Sequence, residues 1–409
     1  MDDREALIAG IAADPDDDLR RLVFADWLDD HGEPERAEFV RLQVELQRIE
    51  DREERLVAIA RANELFREHG RRWFAPFLSA LDPVGPKSDY RLDTRDDQCQ
   101  TDIDGDWWEG PPASSGERDT EERAFVSRVS VERGFAAQVN VTLSALPAGY
   151  AVATALRREP VTTLSASLSF DGREWERFTS PELARVSAMY VYGSDESEWR
   201  TVFADPNLGA VGWLGVHMDR HFDEPDVPLS PAIVREFHNS RLGRQVTSLD
   251  VVVDDSGLRA LAEAGELALE SLFLIPPWQC DWADGAAAFL NSPVARALKT
   301  LHYGWGSVGD TSLIAFGRGT ELRRLEHLQI SLNEVSERGL RALAEAEVMT
   351  RLEYLEVNFS DWQRPPTDDT LRGLLHLPDS NRNLQVSLLF QSAREVPAFL
   401  REKFGDRLT

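Results

Sequence analysis

The chain is short of the features that define several broad classes of protein. Its 409 residues hold two cysteines, Cys99 and Cys280, too few for a disulfide framework. It contains no run of 18 apolar residues, so no transmembrane helix is expected. Its start, Met-Asp-Asp-Arg-Glu, lacks the basic stretch and apolar core of a signal peptide. Together these point to the cytoplasm. Basic residues are the minority: 45 Lys and Arg against 72 Asp and Glu leave a formal net charge of −27. A phosphate backbone would be repelled, which argues against general nucleic-acid binding. Solubility is the simpler reading of that charge; attraction to a basic protein partner is the sharper one. Gly-x-Ser-x-Gly, Gly-x-x-x-x-Gly-Lys and kinase signatures are also missing, so neither a catalytic residue nor a cofactor is assigned.

What is present is repetition. The octapeptide Gly-Leu-Arg-Ala-Leu-Ala-Glu-Ala occurs at Gly257–Ala264 and again at Gly339–Ala346. Each copy follows a short apolar run, Val246-Thr-Ser-Leu-Asp-Val and Leu325-Glu-His-Leu-Gln-Ile. The pattern apolar-x-x-apolar-x-apolar starts at Leu298, Leu325 and Leu352, in steps of 27 residues (298 to 325 to 352), and upstream at Leu269. Weaker units start at Ala136, Val161, Val186 and Val211, in steps of 25 (136 to 161 to 186 to 211), and a degenerate one at Asn383. The alternation is strand periodicity. The stretches between are rich in Ala, Leu, Glu and Arg, which favour helix. Leu258, Leu261, Leu340 and Leu343 are expected in the core.

A strand and a helix in 25–29 residues resembles the longer, ribonuclease-inhibitor-like class of leucine-rich repeat. The resemblance is tight from Leu269 to Asn358, where Asn333 follows a strand as that pattern expects, and looser from Ala136 to Val252. It implies an α/β solenoid of about ten parallel strands with helices outside.

Residues 1–81 differ in kind. Asp14 and Pro15 read as a helix start ahead of Leu19–His31, with Gly32 as its stop. Phe24, Trp27, Leu28 and His31 share one face of that helix. Further helices are expected over Pro34–Ile49, with Phe39, Leu42, Leu46 and Ile49 inward, and over Glu53–His69. The stretch Asp16–Gln43, with its Ala-Asp-Trp-Leu and Arg-Ala-Glu-Phe segments, resembles the bacterial, planctomycete-type repeat-companion domain. Glu132-Arg-Gly-Phe-Ala and the ending from Phe399 look similar to that family as well. The resemblance implies a small helical domain fused to a repeat array and brings no established activity or site residues. The expected layout is a helical domain at 1–81, a linker or long loop at 82–124 and a solenoid at 125–409. Trp107 and Trp108 fall in the linker.

Several constellations tempt an enzyme or metal reading and fail on spacing. Asp102-Ile-Asp-Gly-Asp106 opens like a calcium loop but has Trp107 and Ala113 where Gly and Glu are needed. Asp29-Asp30-His31 suggests a metal site, yet a histidine in the last turn of a helix is more often a dipole partner. His217, His302 and His327 recur without tight ligand spacing, so no metal site is assigned. Cys280 falls in a loop between strands.

The expected site is therefore a surface. If the first, fourth and sixth pattern positions turn inward, the third, fifth and seventh face out on the concave side. These are Tyr190, Tyr192, Trp213, His217, Phe273, His302, His327, Gln329, Tyr354, Glu356 and Asn358. Trp278, Trp282, Trp305 and Trp362 are expected to rim one edge. The reading is a non-enzymatic protein-interaction scaffold. The alternative is a regulatory or sensor module in which the helical domain binds, through Trp27 or the Asp29 and Asp30 acids, and the repeats are scaffold.

Overall fold

In the computed structural model the described residues are 2–81, 91–94, 101–104, 126–142, 152–168, 174–193, 196–218, 227–265, 267–277, 282, 284–333, 335–359, 365–390 and 395–408. They form an α/β protein of mostly parallel strands and intervening helices, preceded by a helical region. Two compact units result, Met1–Tyr192 with Asp205–Val211, and Gly193–Ala204 with Gly212–Thr409.

The first unit opens with helices α1 (Asp3–Ala13), α2 (Asp18–Asp30), α3 (Pro34–Glu45) and α4 (Arg52–Leu81). Asp2 caps α1 by accepting from the Glu5 N–H at 2.7 Å. The Asp17 carboxylate caps α2 through the Leu19 N–H at 2.9 Å, satisfying one of the donors a helix start leaves unpaired. The expected cap, Asp14, instead ends α1, and Pro15 lies in the turn between the helices. Pro34 opens α3, where its missing N–H costs nothing. α4 does not stop at His69: Phe66, Trp73, Phe74 and Phe77 are all buried, and that continuous apolar face carries the helix through Gly70 to Leu81.

Strands β1 (Arg91–Thr94), β2 (Thr101–Asp104), β3 (Val126–Glu132) and β4 (Phe135–Thr142) pair antiparallel in sequence order. β1 and β2 fall inside the segment read as a linker, and Asp102–Asp104 belongs to β2. β5 (Thr163–Ser167) and β6 (Ala188–Gly193) then add in parallel. The second unit holds seven parallel strands, each paired with the next: β7 (Trp213–Met218), β8 (Ser248–Val252), β9 (Ser271–Ile275), β10 (Thr300–Val308), β11 (His327–Leu332), β12 (Tyr354–Phe359) and β13 (Gln385–Phe390). Helices Asp255–Ala262, Asp310–Gly317 and Glu337–Ala344 lie between strands.

One hydrogen-bond device recurs in both units. A carbonyl just before one strand accepts two N–H groups from the start of the next, using both of its lone pairs. Glu326 O accepts Glu353 N at 2.8 Å and Tyr354 N at 3.1 Å. Lys299 O accepts Glu326 N and His327 N, and Thr162 O accepts Ser187 N and Ala188 N. The strand starts are thereby held in fixed register. Behind them the first, fourth and sixth pattern positions are sealed in the core: Leu325, Leu328 and Ile330, and equally Val186, Met189 and Val191. Leu258, Leu261, Leu340 and Leu343 are buried in their helices. The glycine that opens the octapeptide has a packing role, since a Cβ on Gly339 would meet Asp310 Oδ1 at 2.2 Å.

Candidate functional site

In each unit the strands present an open face. Strand alternation sends the third, fifth and seventh pattern positions to it, and the burial patterns of β6, β9 and β12 alternate accordingly. Every one of the eleven expected surface residues is half-buried or exposed. The register sorts them. Phe273, His302, Gln329 and Glu356 form one row across β9–β12. His327 and Tyr354 stand side by side in a second row, with Gln385 next to them. Asn358 pairs with Ser331. Trp213 pairs with Ser248. Tyr190 and Tyr192 lie in the first unit, opposite Ser165 and Ser167.

These side chains contact one another. The Phe273 and His302 rings stack at 3.9 Å between centroids and 18° between planes. His327 and Tyr354 approach at 6.3 Å, and the Tyr354 hydroxyl donates to Glu356 Oε2 at 3.3 Å. Burial holds the His302 imidazole below its ordinary titration range, against the opposing charge of Asp250 and a hydrogen bond with the Gln329 side chain. A depression of about 1020 Å³ adjoins His327 and Tyr354 and is bounded further by Arg351, Arg382 and Gln385.

The row contains one residue the surface reading left out. Asp250 is the fifth-position residue of β8 and sits opposite Gly215 on one side and Phe273 on the other. Its Oδ2 lies 3.4 Å from His217 Nε2. The signal was available, because the run Val246-Thr-Ser-Leu-Asp-Val places Asp250 where Phe273 and His302 stand in their own runs. The expected tryptophan rim is corrected at Trp282. That side chain is 1% exposed, donates Nε1–H to Val253 O at 2.9 Å and packs on Tyr303, so it fills the core. Trp107, Trp108, Trp278, Trp362, Cys99 and Cys280 lie outside the described residues, as does the Trp305 side chain.

A second constellation joins the helices to the first strands. Arg133 and Gly134 link β3 to β4 with φ of 49° and 87°, both in the left-handed region that a tight hairpin turn requires. The tip is gripped by the helices. The Gly134 N–H donates to Gln43 Oε1 at 2.8 Å, and a Cβ there would meet Val40 at 2.6 Å. Arg133 donates to Pro15 O at 3.2 Å, and Phe135 joins the core of Ile8, Ile11, Phe24, Leu28 and Val40. Beside it lies a sealed ion pair, Arg36 Nη2 to Glu159 Oε1 at 2.8 Å, with side chains 1% and 3% exposed. Glu159 Oε2 accepts the Ala136 N–H at 3.1 Å, and Arg36 also donates to Trp73 O. Burial pushes the Glu159 carboxyl upward, opposed by Arg36 and the Ala136 N–H. This arrangement is structural, since it fastens the helices to the β3–β4 hairpin.

The side chains of the alternative reading are partly engaged. Trp27 stacks on His31 at 3.9 Å, and His31 Nδ1 donates to Trp27 O at 2.7 Å, the proton placement that a carbonyl partner dictates. Asp29 pairs with Arg41. Among the described residues no group of three or more His, Cys, Asp or Glu could hold a metal ion. Among them also no helix is long and apolar enough to cross a membrane.

No protein-family model matches the chain, and no curated protein does. Among solved structures it is similar to one from the complex of Rad7 and Elc1 in yeast, at 15% identity and a TM-score of 0.29, over 58% of this chain and 73% of that one. Nothing about the function of this chain is taken from so loose a likeness.

Proposed function

We propose that the chain is a non-enzymatic interaction scaffold, a repeat-companion-type helical domain fused to a leucine-rich-repeat solenoid that binds a protein partner on the open face of its strands. The composition of that face carries the reading. In a chain that is 29% charged, no outward position of β4–β6 or of β7–β13 is Lys or Arg, and only Asp250 and Glu356 bear a carboxylate. Ser, Thr, Asn and Gln fill much of it, and aromatic and histidine side chains stand among them. Depletion of charge with enrichment of aromatics is the mark of an interface core, whereas a face meant only for water would carry Lys and Glu. The depression beside His327 and Tyr354 is a place for a partner's anchoring side chain. A partner with a basic patch accords with the acidic whole.

The test uses the full chain as bait in an extract of its native cell, with captured proteins identified by mass spectrometry and their affinities then measured. Tyr354→Ala combined with His327→Ala should weaken binding at least tenfold, on the order of a hot-spot loss, while Trp27→Ala leaves it unchanged. Unchanged affinity in the double variant contradicts the reading. The second reading, binding by the helical domain, has its own support in the exposed apolar side chains Leu19 and Val23 on α2 and Leu56 and Val57 on α4. It would then be tested by Leu19→Glu with Val57→Glu.

A further inference from the structure

We propose that Asp250 is the seat of an arginine side chain from the protein partner, an inference that rests on the open-face reading and gives it a chemical anchor. Three observations carry it. First, Asp250 is one of two carboxylates on an outward surface of β7–β13 that holds no Lys or Arg, so the face supplies no permanent cation of its own at any outward position. Second, Asp250 Oδ1 is buried and has no hydrogen-bond partner among the described residues. His217 Nε2 stands 3.4 Å from the other oxygen. The side chain as a whole is 17% exposed, and a carboxylate oxygen shut off from water without a donor is destabilising. Third, Phe273 follows Asp250 in the row and is itself stacked on His302.

An aromatic surface beside a carboxylate selects among cations. A guanidinium is planar, can serve both carboxylate oxygens at once, lies flat against rings and is weakly hydrated. An ammonium is a compact, strongly hydrated point charge that gains less from Phe273 and serves one oxygen at a time. Glu356, the other carboxylate, accepts from the Tyr354 hydroxyl and, unlike Asp250, has no buried oxygen left unmet among the described residues.

The probe is a fluorescein-labelled hexa-arginine peptide titrated against the full chain by fluorescence anisotropy, beside hexa-lysine and hexa-glutamate of equal length. The expected result is saturable binding of hexa-arginine, at least tenfold tighter than hexa-lysine and absent for hexa-glutamate. Asp250→Asn should weaken it at least tenfold, while Asp284→Asn, the same loss of charge at an exposed helix position away from the open face, changes it less than twofold. In parallel, the imidazole resonances of His217 and His302 in the wild-type chain should move on titration while those of His31 and His376 stay. This second readout decides the matter even where Asp250→Asn does not fold. Equal loss in the two variants, equal affinity for arginine and lysine, or unmoved His217 and His302 resonances overturns the proposal. Retention of a captured partner that depends on Tyr354 and His327 would then show that the open-face reading survives without this anchor.

Discussion

The two compact units are built on one strand device but held together by different chemistry. In the second unit the same apolar positions recur on every strand, and the core is led by Leu, Val and Ile, filled out with Ala and aromatic side chains, with repeated backbone bonds at the strand starts. In the first unit those positions recur only from β4 onward. The junction to the helices depends instead on residues that occur once: Gly134 against Val40, Gln43 on the Gly134 N–H and Arg36 sealed with Glu159. Repetition needs only the right residue type at each step, because each repeat buries its face against its neighbours. An end needs a unique fit. The first unit should therefore respond to polar substitutions that the second has no counterpart for.

The largest expected effect lies at the unique pair. Glu159→Ala leaves Arg36 charged and buried, and breaking such a pair costs about 3–5 kcal/mol. Urea unfolding followed by near-ultraviolet dichroism should show the loss. Replacing both partners, Arg36→Met with Glu159→Leu, should recover much of it; a double variant as weak as the single would show that the pair does more than offset its own burial.

Next come the repeated leucines. Leu343→Ala should cost about 2–5 kcal/mol, as other core leucines do. Leu261→Ala, at the matching place of the twin octapeptide, should fall within about 1 kcal/mol of it, since both side chains are sealed (0% and 1% exposed) in similar surroundings. Equilibrium unfolding of the two variants checks this. A large inequality would mean that the repeats are alike in sequence but not in packing.

The smallest effect is one of pH. His302 binds its proton less readily in the folded chain than in the unfolded one, because burial lowers its affinity for the proton. Its contribution to stability is thus complete above about pH 6.5, the usual value, and is lost as the pH falls through the lowered value. His302→Gln should flatten the stability profile between pH 7.5 and 5.5. A profile unchanged by the substitution would place His302 in contact with water, away from the Phe273 ring.

The same contrast explains what could be read from the amino acids. The strands of the second unit were legible because their period is local: Leu325 and Leu352 announce His327 and Tyr354 two residues on, and alternation then puts Gln329 and Glu356 on the open face. β5 and β6 were legible through the weaker Val161 and Val186. Asp250 could have been read by the same rule. The Arg36–Glu159 pair could not, since its partners stand 123 residues apart and no local period links them. α1 was missed because Asp14 and Pro15 look like a beginning, although Asp14 closes one helix and Asp17 opens the next. β1 and β2 are four residues each, too short for a period to emerge amid prolines and charges. Trp282 was placed on a rim for its size, whereas its indole N–H finds Val253 O inside.

The central claim, that the open face of the strands and not the helical region meets the partner, can be tested by placing a photo-crosslinking amino acid at single positions of the full chain in its native cell. Gln329 on the open face, Arg338 on the exposed side of the helix Glu337–Ala344 and Val57 on α4 are the three sites. The account predicts that one partner is trapped from position 329 and not from 338 or 57. Trapping of that partner from position 57 with none from 329 would contradict it.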